Sequence, residues 1–145
     1  MNLTPHVITS SVLTVLFFPV FGWHSLWIIV GGFCIDVDHY VYYGLKFKKW
    51  SLKKAYYFYK VAQSHEGYMR DNLHVFHTAE FLVVMVLGIF VGLAAQWTFF
   101  LYMCVVTLVG VVCHWMLDWV NMAFRDVWEA RALSTTGWLW RRRRG

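Results

Sequence analysis

Residues 97–120 read WTFFLYMCVVTLVGVVCHWMLDWV, a run with no lysine or arginine and with a single acid, Asp118. A helix that crosses the hydrocarbon core of a bilayer needs about 20 mostly apolar residues, and this run supplies them. Working outward, three further runs have the same character, at about 6–21, 23–43 and 73–95. The whole chain agrees: 59% of its 145 residues are hydrophobic and only 14% are charged, against about 25% charged in a soluble domain. The expectation is an all-α polytopic membrane protein, a four-helix transmembrane bundle forming one domain over 1–145.

The charges give the orientation. Both tight connections, Phe21-Gly22-Trp23-His24 and Ala94-Ala95-Gln96-Trp97, lack basic residues. Lys46, Lys48, Lys49, Lys53, Lys54, Lys60 and Arg70 fall between the second and third spans; Arg125, Arg131 and Arg141 to Arg144 follow the fourth. The positive-inside rule puts both regions, and with them both termini, in the cytoplasm, so the protein is expected to be multi-pass in the cytoplasmic membrane. The first span lacks the basic start and the small-residue cleavage site of a signal peptide, and is expected to be retained. Cys34, Cys104 and Cys113 lie in apolar stretches with no CxxC pair, which reads as packing rather than as a disulfide or thiolate site.

Residues 46–62 are expected to form an amphipathic interfacial helix, with Lys46, Lys49, Lys53 and Lys60 on one face and Leu52, Ala55, Phe58, Tyr59 and Ala62 roughly opposite. Its simplest role is attachment to anionic inner-leaflet lipid; capture of an anionic substrate by Lys49 and Lys53 is the second. The tail over 124–145, with Trp138-Leu139-Trp140 before four arginines, reads as another interface anchor. No nucleic-acid partner is expected.

Four acids sit where lipid should exclude them: Asp36, Asp38, Glu80 and Asp118. A charge at the bilayer centre costs about 2.5–3.5 kcal/mol on insertion scales, so such residues point to function. Histidines accompany them, in Asp36-Val37-Asp38-His39, in His74-Val75-Phe76-His77-Thr78-Ala79-Glu80 and in His114-Trp115-Met116-Leu117-Asp118, while His6 opens the first span. Helical spacing puts His114 beside Asp118, with Asn121, Gly110 and Thr107 extending the stripe, and puts His77 beside both His74 and Glu80. Asp38 points away from Asp36 and His39 unless the helix is distorted near Gly31-Gly32. At 1.5 Å per residue all these groups fall in the inner-leaflet third. That is the arrangement of a metal site built in a bundle core from facing helices. Imidazole with carboxylate and no thiolate suits Zn, Mn or Fe. The candidate ligands are His6, Asp36, Asp38, His39, His74, His77, His114 and Asp118. Asp38 and Glu80 are the candidate general base or acid, because a carboxylate kept from water titrates nearer the working range. Asn121 is a further candidate for substrate contact. His24, in the outer connection, and His65, in the basic loop, stand outside the set.

An opening His, a second-span Asp-x-Asp-His, a His-rich start to the third span and a late His-x-x-x-Asp together resemble the small bacterial and archaeal membrane-bound metal-dependent hydrolases, which are distantly similar to zinc-dependent phospholipase C. The resemblance maps the first motif to His6, the second to Asp36, Asp38 and His39, and the last to His114 and Asp118. The third motif departs: the family's His-Arg-Gly-x-Thr-His-Ser is replaced by His74-x-x-His77-Thr78-Ala79-Glu80. The resemblance implies a phosphoesterase or phospholipase acting on a lipid or lipid-linked substrate at the cytoplasmic leaflet. The residues alone leave open a non-enzymatic subunit that binds haem or quinone, passes protons, or keeps the cluster for structure in transport or assembly. A second copy of the chain is a further candidate partner.

Overall fold

The structure, a computed structural model, describes residues 3–62, 73–125 and 133–144, and every element among them is helical. The seven α-helices are α1 (Leu3–Phe21), α2 (Trp27–Gly32), α3 (Val37–Phe47), α4 (Leu52–Ala62), α5 (Ala79–Ala94), α6 (Thr98–Arg125) and α7 (Thr135–Arg144). Two stretches are long and apolar enough to cross a membrane, the helical run Leu3–Phe47 and the helix Thr98–Phe124. The apolar α5, at 16 residues, is about 24 Å long at 1.5 Å per residue. His65, Arg70 and Arg131, from the two basic regions, lie outside the described residues.

The chain doubles back through a 3₁₀ turn at Gly22–Leu26, where Gly22 takes the left-handed conformation (φ +53°), and α2 returns beside α1. The α2 helix then crosses α6, and α5 packs on the far part of α6. Glycines allow the α2–α6 backbones to touch: a Cβ on Gly31 would collide with the Thr107 carbonyl, and one on Gly110 with the Ile28 carbonyl. Small residues at a helix crossing are the usual device where no hydrophobic force drives helices together.

Three expected elements are shaped differently. The second span is interrupted: α2 ends at Gly32, Phe33 leaves helical geometry (φ −133°, ψ −46°), and a 3₁₀ turn over Cys34–Asp36 leads into α3. The third begins at Ala79 rather than near Leu73, because His74 and Thr78 are extended around a 3₁₀ turn at Val75–His77. Thr78 satisfies that turn by donating its hydroxyl to the Val75 carbonyl (2.8 Å), the local competition with helix that makes threonine a boundary residue. The amphipathic segment is also divided. Lys48 is left-handed (φ 51°) and ends α3, Trp50 folds over Gly44, and α4 starts at Leu52. Lys46 and Lys49 therefore do not share a helix with Lys53 and Lys60. The apolar face of α4 is as expected for Ala55 and Tyr59, which are buried against Tyr43 and flanked by Phe47 and Phe58, whereas Leu52 is exposed.

In α1 burial is inverted relative to a helix of a water-soluble bundle. In α1 the buried residues are His6, Ser10 and Thr14, each four apart, while Val12, Val15, Leu16 and Val20 are exposed. Ser10 and Thr14 donate their hydroxyls to the carbonyls of His6 and Ser10, 2.6 and 2.8 Å, so these two hydroxyls are satisfied within their own helix.

Candidate metal centre

The break after α2 builds the site. Inside a continuous helix the Gly32 carbonyl would accept from the amide of Asp36, but that amide turns instead to the Phe33 carbonyl (3.2 Å). The released Gly32 carbonyl accepts from His114 Nδ1 on α6 at 2.8 Å. A carbonyl can only accept, so Nδ1 carries a proton, and in the neutral ring Nε2 is left with the lone pair that a metal ligand needs.

The same logic fixes His77. Its Nδ1 lies 3.1 Å from Asp38 Oδ2, an oxygen that also accepts the Phe76 amide at 3.1 Å. Its Nε2 lone pair then points inward, and the Nε2 atoms of His77 and His114 face each other at 3.0 Å. Two lone pairs at that distance repel unless a metal ion or a proton lies between them.

Carboxylates complete the surround. Asp36 Oδ1 is 3.6 Å from His77 Nε2 and 3.5 Å from His114 Nε2; Asp118 Oδ2 is 3.8 and 3.1 Å from the same two atoms. With zinc–ligand bonds of about 2.0–2.1 Å, the ligand atoms of a tetrahedral site stand about 3.3–3.4 Å apart. The five separations given bracket that value, and Asp36, His77 and His114 form one group with the spacing of a candidate ion site. Asp36, His77 and His114 are all buried, with His77 and His114 only 2% and 1% exposed. The donor set can hold a divalent ion.

Two neighbouring sets adjoin this one, and the first shares His114 and Asp118 with it. His6 Nε2 lies 3.3 Å from Asp118 Oδ1, and its ring stacks on His114 with centroids 4.0 Å apart. Asp38 Oδ1 lies 2.8 Å from His39 Nδ1 and 3.8 Å from His74 Nδ1, with the His39 and His74 rings stacked at 3.7 Å. Both triads have the spacing of candidate ion sites. The interruption over Cys34–Asp36 is the distortion that lets Asp36 and Asp38 approach one imidazole, His39 Nδ1, at 3.5 and 2.8 Å. All eight candidate ligands thus meet in one cluster.

Glu80 does not. Its carboxylate accepts from the Ser134 hydroxyl (2.7 Å), the Thr135 and Thr136 amides (3.1 Å each) and the Thr136 hydroxyl (3.0 Å). The helical spacing that paired it with His77 fails because α5 starts only at Ala79. Glu80 caps α7, with support from the Ala79 amide on the Leu133 carbonyl at 2.9 Å. Replacing it by alanine is expected to leave metal content unchanged while trypsin cleaves the arginines of α7 faster; equal cleavage rates would contradict the assignment.

Asp38, with both oxygens occupied, is placed to orient His39 and His77. Lys49 and Lys53 are exposed, and Asn121 is half-buried one turn beyond Asp118. Spacing arguments missed the Gly32 carbonyl, the Phe76 amide and Tyr59. The ring of Tyr59 packs edge-on against His39 and His74 at centroid distances of 4.9 and 5.7 Å. Burial, with Tyr42 and Asp38 nearby, pushes its phenol above the ordinary range.

Comparison of the chain with known protein families, curated proteins and solved structures gives no match. The chemistry of the site therefore rests on its own geometry.

Proposed function

We propose that the chain is a membrane-embedded metal-dependent hydrolase, a phosphoesterase or phospholipase acting on a lipid or lipid-linked substrate, with zinc as the leading candidate ion and Mn or Fe as others. The observation that carries the reading is the pair of Nε2 lone pairs converging at 3.0 Å between two carboxylates. His77, His114, Asp36 and Asp118 would hold the ion. An ion so held supplies a Lewis acid for a phosphoryl or carbonyl oxygen and lowers the pKa of water it binds. Asp38 and the Gly32 carbonyl keep the two imidazoles in the ligating tautomer, as outer partners do at metal sites. Asp36 Oδ2, buried and without a hydrogen-bond partner, is the proposed acceptor of the attacking water's proton.

The membrane setting is part of the proposal. Exposed valine, leucine and phenylalanine around an interior that holds a buried His/Asp cluster suits a lipid surround. Four spans, with α2 and α3 jointly forming the second, α4 at the inner interface and both termini cytoplasmic, agree with the distribution of the thirteen basic residues. Anionic inner-leaflet lipids are the proposed partners of Lys49 and Lys53. The resemblance to the membrane-bound metal-dependent hydrolases gives the same reaction class.

The test is release of phosphate or of an acyl chain from phosphomonoester, phosphodiester and acyl-ester lipids in vesicles containing the zinc-loaded chain. Turnover lost with chelator and with Asp36→Asn is expected. A zinc-replete chain that turns over none of them would overturn the enzymatic reading. One alternative has an observation of its own: a proton shared between His77 and His114 would also bridge 3.0 Å. That arrangement serves a proton path, and proton flux through chelator-treated vesicles would favour it.

A further inference from the structure

A cavity of about 530 Å³ lies between α3, the segment 73–76 and α7. The volume is within the roughly 300–1,000 Å³ of small-molecule sites. One wall is a stripe of α3, in which Val37, Val41 and Leu45 are four residues apart and so share a helix face. At 1.5 Å per residue the stripe is about 12 Å long. All three side chains are exposed. Phe76 and Trp138 line the cavity from the other two segments.

The charges around this apolar trough are separated. Asp38 stands at the Val37 end, with its oxygens engaged by His39, His77 and the Phe76 amide. At the Leu45 end, Lys46 lies over the ring of Tyr42, another lining residue, with Nζ 5.3 Å from the centroid. Arg142 lines the cavity from α7, its guanidinium carbon 4.7 Å from the centroid of the Trp138 ring. Among the described residues Arg142 has no acidic partner. A guanidinium stacked on an aromatic face is held flat, and its N–H edge stays available for a bidentate contact with phosphate.

We propose that this cavity holds an acyl chain of one anionic phospholipid, with the phosphate on Arg142 in the field of Lys46 and the chain along Val37, Val41 and Leu45. Repulsion from Asp38 keeps the head away from the Val37 end. Basic residues near a membrane attract anionic lipid without any site. What sets Arg142 apart is the walled apolar cavity that it borders. Its neighbour Arg143 is exposed and outside the lining, which provides an internal control. The proposal rests on the membrane setting of the chain and on neither its metal nor its turnover.

The full chain in a zwitterionic detergent is titrated with dioleoyl phosphatidylglycerol or dioleoyl phosphatidylcholine, and bound lipid is counted by native mass spectrometry. One phosphatidylglycerol is expected to bind about tenfold more tightly than phosphatidylcholine. Arg142→Gln should weaken it about fivefold, the scale of one cation at an anionic surface, and Arg143→Gln by less than about twofold. Val41→Trp, which fills the trough from an exposed position without altering charge, should weaken it at least as much as Arg142→Gln. Equal effects of Arg142→Gln and Arg143→Gln, or no effect of Val41→Trp, would overturn the site and leave only general attraction to basic residues. Glycerol phosphate, a head without chains, is expected not to compete; competition by it would remove the cavity from the binding and overturn the proposal as well. A chain that stays monodisperse without detergent would remove the membrane setting itself. A detergent-dependent chain that binds both lipids alike would overturn the lipid site alone.

Discussion

His114→Ala is expected to purify with essentially no bound zinc from medium in which the wild type retains it. Removing that ring deletes one converging donor and frees Asp118 Oδ2 from a partner at 3.1 Å. It also leaves the Gly32 carbonyl without its 2.8 Å donor. Asp38→Asn should behave differently. It keeps the four proposed ligand atoms but removes the charge that holds His77 Nδ1–H, so affinity should fall by about 10–100-fold, the range for outer partners. Metal titration of both variants separates the roles. Equal loss in the two would place Asp38 among the ligands, and no loss in His114→Ala would remove the site altogether.

The second large effect is structural. Gly110→Leu is expected to destabilise the chain at or beyond the upper end of the roughly 1–3 kcal/mol that overpacking costs. Even a Cβ there meets backbone, the Ile28 carbonyl and the Gly32 amide, which cannot move aside as a flexible side chain would. Because Gly32 supplies the carbonyl that orients His114, the same substitution should weaken zinc binding in whatever fraction folds. The measurement is a denaturation midpoint paired with elemental analysis. A variant as stable as wild type would mean that α2 and α6 do not cross closely at this point.

These expectations depend on features with unequal traces in the sequence. Apolar runs and the position of the basic residues gave the helical class directly, since length and hydropathy are local properties. The cluster was legible for the same reason: Asp36, His77, His114 and Asp118 are conspicuous in apolar surroundings. What periodicity could not supply was the set of helix interruptions. It assumes an unbroken 3.6-residue repeat, and it therefore paired Glu80 with His77, although Thr78 and the turn before it direct Glu80 to Ser134 and Thr136. It likewise ran one amphipathic helix through Lys48, whose left-handed backbone is fixed by tertiary packing of Trp50 on Gly44. Backbone groups such as the Gly32 carbonyl leave no mark in composition, and Tyr59 reads as one more aromatic in an aromatic-rich helix. Such groups complete the site, and only the folded chain brings them to it.

The central claim is that a divalent cation lies between His77 and His114. Anomalous scattering across the zinc absorption edge, recorded from crystals of the wild-type chain grown with zinc, tests it most directly. The account predicts a peak about 2.0–2.1 Å from both Nε2 atoms, with oxygens of Asp36 and Asp118 adjacent. An absent peak, with the two imidazoles still 3.0 Å apart, would mean that they share a proton and would contradict the metal site.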